Sequence, residues 1–173
     1  RYGLDFGYHP DPAAIVAIYY YNGGYIVDEV AYQLEMSNRD IGNLMKNKGK
    51  ALIVADSAEP KSIAEIKMYG INIVPCKKGA DSKRQGIKAV QDQRISVTKR
   101  SVALIKEYRN YLFKLDKEGR ANMGEAEDGN DHLMDALRYG ITSLVPVMRK
   151  REVALAMEVP QFMKNKKRVN RAR

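Results

Sequence analysis

The chain has 173 residues, a formal net charge of +9, 45% hydrophobic and 29% charged residues, one cysteine and two histidines. That length and balance describe a globular domain able to bury a core without disulfides, and exclude a fibrous or disordered chain. Cys76 alone excludes an intrachain disulfide and a cysteine-cluster zinc site, His9 and His132 leave little room for a histidine-rich metal site, and no apolar run approaches the roughly 18 residues of a membrane helix.

Residues 2–8 alternate large and small, with Tyr2, Leu4, Phe6 and Tyr8 on one face and Gly3, Asp5 and Gly7 on the other. After a turn at His9–Pro12, two β-rich runs, 13–21 and 25–32, flank the turn signal Asn22-Gly23-Gly24, which predicts a three-stranded antiparallel meander. Ser37 reads as the N-cap of a helix over 38–47. The continuous apolar run Ala51–Ala55 suits a central strand buried on both faces. A helix over 59–68, a short strand over 71–74 and a polar loop over 77–81 follow. Ser82 and Ser101 read as caps of helices over 82–92 and 102–112, with a short strand at 95–97 between them. A polar Gly/Asp/Asn stretch spans 116–130, and a strong helix runs over 131–144. The order predicts an α/β fold: a mixed β-sheet, antiparallel meander plus parallel strands, with helices on both faces.

The charge is concentrated at the end. Residues 149–173 hold nine Lys/Arg and two acids, a net +7, which leaves +2 for residues 1–148. The chain therefore divides into a domain over 1–148 and a basic, flexible tail over 149–173. Nucleic acid is the leading partner for such a tail, and a solvated terminus that only aids solubility is the alternative. Nothing at the start reads as a targeting segment, and a chain opening at Arg1 almost directly on a strand reads as a piece of a longer protein.

Three acids invite explanation. Asp5 lies mid-strand between Gly3 and Gly7, whose missing side chains leave room for a ligand; the alternative is an acid on a wet sheet face. Asp56 ends the apolar run, where ligands collect in open α/β sheets, or else caps the next helix. Asp131 and Asp135 share a helix face off the apolar stripe Leu133, Leu137, Ile141 and Leu144, with His132 beside them; the alternative is an N-cap at Asp131 and a surface pair between Asp135 and Arg138. Together they suggest an oxygen-ligand site for Mg²⁺ or Mn²⁺, and two such ions about 4 Å apart suit phosphodiester cleavage.

Gly3-Leu4-Asp5-Phe6-Gly7, Ala55-Asp56-Ser57-Ala58-Glu59-Pro60 and Asp131-His132-Leu133-Met134-Asp135-Ala136-Leu137-Arg138-Tyr139 resemble the nuclease domain of the large terminase subunits of tailed bacteriophages. Lys77–Ser82 followed by Gly86-Ile87 resembles the segment between that family's second and third acids, and the likeness covers roughly residues 2–146. The resemblance implies an RNase H-like fold and metal-dependent endonucleolytic cutting of concatemeric viral double-stranded DNA during genome packaging, in the host bacterial cytoplasm during virus assembly. It implies Asp5, Asp56 and Asp135 as the metal-binding acids, His132 as an assisting residue and Asp131 as a weaker candidate. It implies as partners the terminase ATPase domain, which has no Gly-rich Lys-Ser/Thr loop in this chain, the small terminase subunit and the portal protein.

On that reading Asp5 bridges two divalent ions, Asp56 binds one and Asp135 the other, and His132 orients water or moves a proton. Lys77, Lys78, Lys83 and Arg84 border the turn at Gly79 and are the candidate DNA-backbone contacts; a solvated loop is the alternative. No base-reading motif is visible. Other RNase H-like nucleases (RNase H, resolvases, transposases), an actin-like or sugar-kinase-like ATPase half, and a non-catalytic DNA-binding module are the competing readings.

Overall fold

A computed structural model describes residues 1–79, 81–127 and 131–144, the side chains of 123–126 excepted. The basic tail 149–173 and the domain boundary at 148 lie outside the described residues. Among the described residues no helix is long and apolar enough to cross a membrane.

The strands are β1 (Tyr2–Asp5), β2 (Ala13–Tyr21), β3 (Gly24–Gln33), β4 (Ile53–Ala55), β5 (Ile73–Pro75) and β6 (Ile95–Val97), in the sheet order β5-β4-β1-β2-β3-β6. The β1–β2–β3 meander is antiparallel, while β4 on β1, β5 on β4 and β6 on β3 are parallel. Asn22 and Gly23 take the left-handed backbone that a tight hairpin needs, with φ of 47° and 72°. The helices are α1 (Asn38–Lys46), α2 (Pro60–Met68), α3 (Ser82–Gln91), α4 (Val102–Asn110) and α5 (His132–Thr142). The polar stretch expected over 116–130 instead contributes to a second sheet, a hairpin of β7 (Phe113–Leu115) and β8 (Ala121–Ala126).

Strand alternation sends Tyr2, Leu4, Ile15, Ala17, Ile53 and Ala55 to one face, where they meet Ile41 and Met45 of α1 and Ile63 and Ile66 of α2. Ala14, Val16, Ile18 and Val27 go to the other, against Leu133, Ala136, Leu137 and Ile141 of α5 and Leu104 of α4. Each fully buried Ile or Leu contributes about 1.5–3 kcal/mol relative to exposure.

The caps depart in part from expectation. Ser37 and Asp40 form a reciprocal capping box, Asp40 N–H donating to Ser37 Oγ at 3.2 Å and Ser37 N–H to Asp40 Oδ2 at 3.0 Å. Ser82 is the first helical residue, and Asp81 takes the N-cap position with no side-chain cap bond. Ser101 holds its N-cap position, but its hydroxyl accepts from the Glu29 N–H at 2.8 Å and ties α4 to β3.

β1 is also shorter than the alternation over 2–8 predicts, and its glycines serve packing rather than ligand access. A Cβ on Gly3 would stand 1.8 Å from the Ala136 carbonyl oxygen, so α5 lies backbone to backbone on β1. A Cβ on Gly7 would meet the Pro12 carbonyl oxygen at 2.4 Å. The space beside Asp5 is thus already filled by the protein.

Candidate metal centre

The register of β1 and β4 pairs Leu4 with Ala55, and the Asp56 N–H donates to the Leu4 carbonyl at 3.1 Å. Asp5 and Asp56 therefore sit side by side at the carboxyl ends of two adjacent parallel strands, the edge where α/β sheets gather ligands. Alternation turns Asp5 to the face of Gly3, hence toward α5. α5 runs antiparallel to β1: Ala136 covers Gly3, and His132, one turn earlier, reaches Asp5. Residues 132, 135 and 139 then share one helix face by their three- and four-residue spacing.

Each acid has its own cationic partner. His132 Nδ1 is 3.3 Å from Asp5 Oδ2, and its Nε2 is 3.5 Å from Asp11 Oδ1. Lys78 Nζ is 2.5 Å from Asp56 Oδ1, which also accepts the Ala58 N–H at 2.8 Å. Arg138 grips Asp135 with two bonds, Nε–Oδ1 at 3.1 Å and NH2–Oδ2 at 2.6 Å. The Tyr139 hydroxyl joins the two halves, 3.2 Å from Asp56 Oδ2 and 3.4 Å from Asp135 Oδ2. In this arrangement no trio of His, Cys, Asp or Glu side chains among the described residues converges closely enough to hold one ion. The alternative reading of Asp135 as the partner of Arg138 is realised, but the pair is buried at the rim of the cluster rather than on the surface. Asp56 caps no helix, since Glu59 takes the N-cap position of α2.

Electrostatics mark the cluster. Burial pushes the Asp5 carboxyl above the usual carboxylate range; its bond to His132 opposes this, and the Asp135 and Asp56 charges add to it. The bond to Asp5, against the opposing effect of burial, pushes His132 up to about 9, helped by the charges of Asp5, Asp131 and Asp11. The His132 shift keeps a cation among these acids. Burial also acts to raise Asp56, but Lys78 and the Ala58 N–H outweigh it and leave that carboxyl below its ordinary value. Burial, then Asp135, drives the Tyr139 hydroxyl upward, so it remains a donor at neutral pH.

Asp131 is placed otherwise. It occupies the N-cap position of α5 without a side-chain cap bond and faces Lys83 of α3 at 3.7 Å. The orphan N–H groups of Leu133 and Met134 are met by Glu107 Oε2 of α4, at 2.8 and 3.2 Å. Glu107 is 3% exposed. Of the four candidate DNA contacts, Lys78 faces Asp56 of the cluster and Lys83 faces Asp131 at the start of α5, while Lys77 and Arg84 are exposed. Lys77 and Lys78 line a cleft of about 520 Å³ between the β4–β5 edge and helices α3 and α5, with Ser82, Gln85, Arg138 and Tyr139. Gly86 admits the Arg138 stem there: a Cβ would lie 2.8 Å from its Cγ and Cδ.

Sequence reasoning missed Tyr139 and Glu107. A signal existed for each: Tyr139 is four residues after Asp135, and Glu107 is three after buried Leu104.

A central sheet with the order β3-β2-β1-β4-β5 and three carboxylates at the β1–β4 edge and on the helix across it defines an RNase H-like domain. The terminase RNase H-like domain family matches residues 5–143, and the chain belongs to that family. The chain is similar to the large terminase subunit of Bacillus phage SPP1, 37% identical over 147 residues; the match takes in 80% of this chain and 35% of that protein. It is similar to the crystal structure of the SPP1 large terminase nuclease domain with bound Mn, with a TM-score of 0.74 and 32% identity, covering 84% of this chain and 86% of that one. The large terminase of a thermophilic bacteriophage shares the fold, with a TM-score of 0.64 and 22% identity over 83% of this chain and 39% of that one. The chain thus spans about a third of the length of the curated relative it matches.

Proposed function

We propose that this domain is the C-terminal nuclease domain of a terminase large subunit, a hydrolase that cuts concatemeric viral double-stranded DNA with two Mg²⁺ or Mn²⁺ ions. The observation that carries the reading is that Asp5 and Asp56 end two adjacent parallel strands while α5 brings His132 to Asp5 and Tyr139 to both Asp56 and Asp135. The SPP1 nuclease domain, a relative at 32% identity, holds Mn.

The residues fit such ions. They are hard oxygen donors, and burial together with the charges of Asp135 and Asp56 disfavours the charged Asp5 carboxylate, a cost that a cation would offset. Asp5, Asp56 and Asp135 would hold them, with Asp131 at the margin. Bound there, Mg²⁺ or Mn²⁺ supplies charge neutralisation at a phosphodiester and acidification of water. The rest falls to the chain. His132 orients the Asp5 carboxylate through Nδ1 and keeps a proton near neutral pH. Lys78 and Arg138 balance the acids until an ion does so, and Lys77, Lys78, Lys83 and Arg84 hold the DNA backbone.

The setting in this reading is the host bacterial cytoplasm during virus assembly, with the ATPase domain, the small subunit and the portal protein as partners. The basic tail over 149–173 adds DNA affinity. The test is nicking of supercoiled plasmid by the chain with Mn²⁺ or Mg²⁺. Cutting that is lost in EDTA and falls at least about 100-fold in Asp56→Ala supports the reading. Cutting by Asp56→Ala at the wild-type rate removes Asp56 from the metal site, and a strong preference for RNA–DNA hybrid or four-way junction points to the other RNase H-like nucleases.

A further inference from the structure

We propose that Tyr139 is the positioning residue of the metal centre, setting the spacing and orientation of the Asp56 and Asp135 carboxylates through one shared hydroxyl. The inference rests on the metal-site reading above. Tyr139 is 3% exposed, and its ring is wedged against Val54 and Cys76, so the hydroxyl has almost no freedom to leave. That hydroxyl lies 3.2 Å from Asp56 Oδ2 and 3.4 Å from Asp135 Oδ2. Asp56 Oδ1 is held by Lys78, and Arg138 bonds both oxygens of Asp135, sharing Oδ2 with the tyrosine.

A tyrosine hydroxyl carries one proton for two carboxylates. It therefore acts both as a donor and as a spacer one oxygen wide, holding two like charges beside each other. Lys78 and Arg138 also stand over the ring face, at 5.9 and 4.6 Å from its centroid. One side chain thus organises two acids and both of their counter-cations. Without the hydroxyl the carboxylates would face an unfilled gap and each other's charge, and would be drawn further toward Lys78 and Arg138, which already hold them. Binding an ion would then first have to bring them back. Groups that bond to ligating carboxylates commonly change metal affinity by 10- to 100-fold when removed.

Tyr139→Phe removes the hydroxyl and keeps the ring packing. Its melting curve is taken first, and all titrations are run well below its midpoint. Mn²⁺ uptake is read from the electron paramagnetic resonance of free Mn²⁺, and plasmid nicking is followed against Mn²⁺ concentration. The expected result is Mn²⁺ binding weakened about 10-fold, a matching rise in the Mn²⁺ needed for half-maximal nicking, and a near wild-type rate at saturation. An unchanged Mn²⁺ requirement overturns the proposal, as does a reduced saturating rate at an unchanged requirement. A Phe variant with no melting transition assigns the hydroxyl to folding and overturns it too. Failure of the wild-type chain to take up Mn²⁺ would instead strike the metal-site reading itself.

Discussion

The two faces of the sheet are built on different rules. Under α1 and α2 the contacts are apolar side chain on apolar side chain: Leu4, Ile15 and Ile53 against Ile41, Met45, Ile63 and Ile66. Under α5 the closest contact is backbone on backbone at Gly3, and the rim is charged, with Lys78, Asp56, Asp135 and Arg138 joined through Tyr139 and the Asp5–His132 pair beside them. The first face needs volume and polarity, which many side chains satisfy. The second needs α5 to lie at one height and one rotation, because every site residue on it is aimed by that placement. The candidate site thus lies where tolerance to substitution is least.

The largest effect should come from breaking the helix–strand contact. Gly3→Ala places a Cβ 1.8 Å from a backbone oxygen that has nowhere to go, so α5 must lift from β1. Urea unfolding should show a loss of about 3 kcal/mol or more, while Ile66→Val, fully buried on the other face, should lose about 1 kcal/mol. Equal losses would mean that the faces do not differ. Next comes Glu107, which supplies from α4 the acceptor for two N–H groups of α5. Glu107→Ala should destabilise by about 2 kcal/mol, because it strands two buried donors, and Glu107→Gln, which keeps one carbonyl oxygen, should lose less. A Gln variant as unstable as the Ala variant would show that the negative charge, not the acceptor, is what α5 requires.

The apolar face was legible because periodicity encodes it. The run ending at Ala55, the alternation of β2 and β3, and the Asn22-Gly23-Gly24 turn place strands without knowledge of their neighbours. The place of Asp56 was legible too, at the end of an apolar run, whereas Asp5 read as mid-strand and reached the carboxyl edge only because β1 stops there. The α5 face was only half legible. Gly3 and Gly7 read as clearance for a ligand, yet backbone from residues 136 and 12 fills that space. Ser101 read as a cap, yet its hydroxyl serves a residue 72 positions away. The β7–β8 hairpin gave no signal because Phe113–Leu115 is very short and Ala121–Ala126 carries no apolar alternation. Local chemistry names a donor; the fold decides who receives it.

A smaller effect separates the acids by what their cations do. Lys78 is half exposed, so its bond to Asp56 is a weak and exchangeable one. Lys78→Gln should tighten Mn²⁺ uptake in the absence of DNA by about 2- to 5-fold, the scale of an exposed ion pair, since the ion no longer competes with an ammonium. The same variant should bind DNA less tightly, with the slope of log K against log salt shallower by about one. Opposite signs in the two assays are the expected pattern; weaker binding of both would place Lys78 in holding the loop rather than in neutralising the acid.

Asp28 is the counter-example that sharpens this. Its carboxylate is bonded to Arg100 and, at 2.6 Å, to the Thr98 hydroxyl, joining β3 to the turn after β6 and sharing no bond with the acids of the candidate metal centre. The bond to Arg100, opposed by burial and aided by Thr98, holds the Asp28 carboxyl below its ordinary 3.8. A depressed folded-state value means the contribution is fully present above the ordinary range and disappears as acid protonates the group. The gap in melting temperature between wild type and Asp28→Asn should therefore be widest above about pH 5 and close as the pH falls below about 4. Mn²⁺ should leave that gap unchanged, because the cation at Asp28 is a permanent part of the fold. A gap that Mn²⁺ widened or closed would tie Asp28 to the metal centre and erase the distinction between a carboxylate paired for structure and one whose cation is there to be replaced.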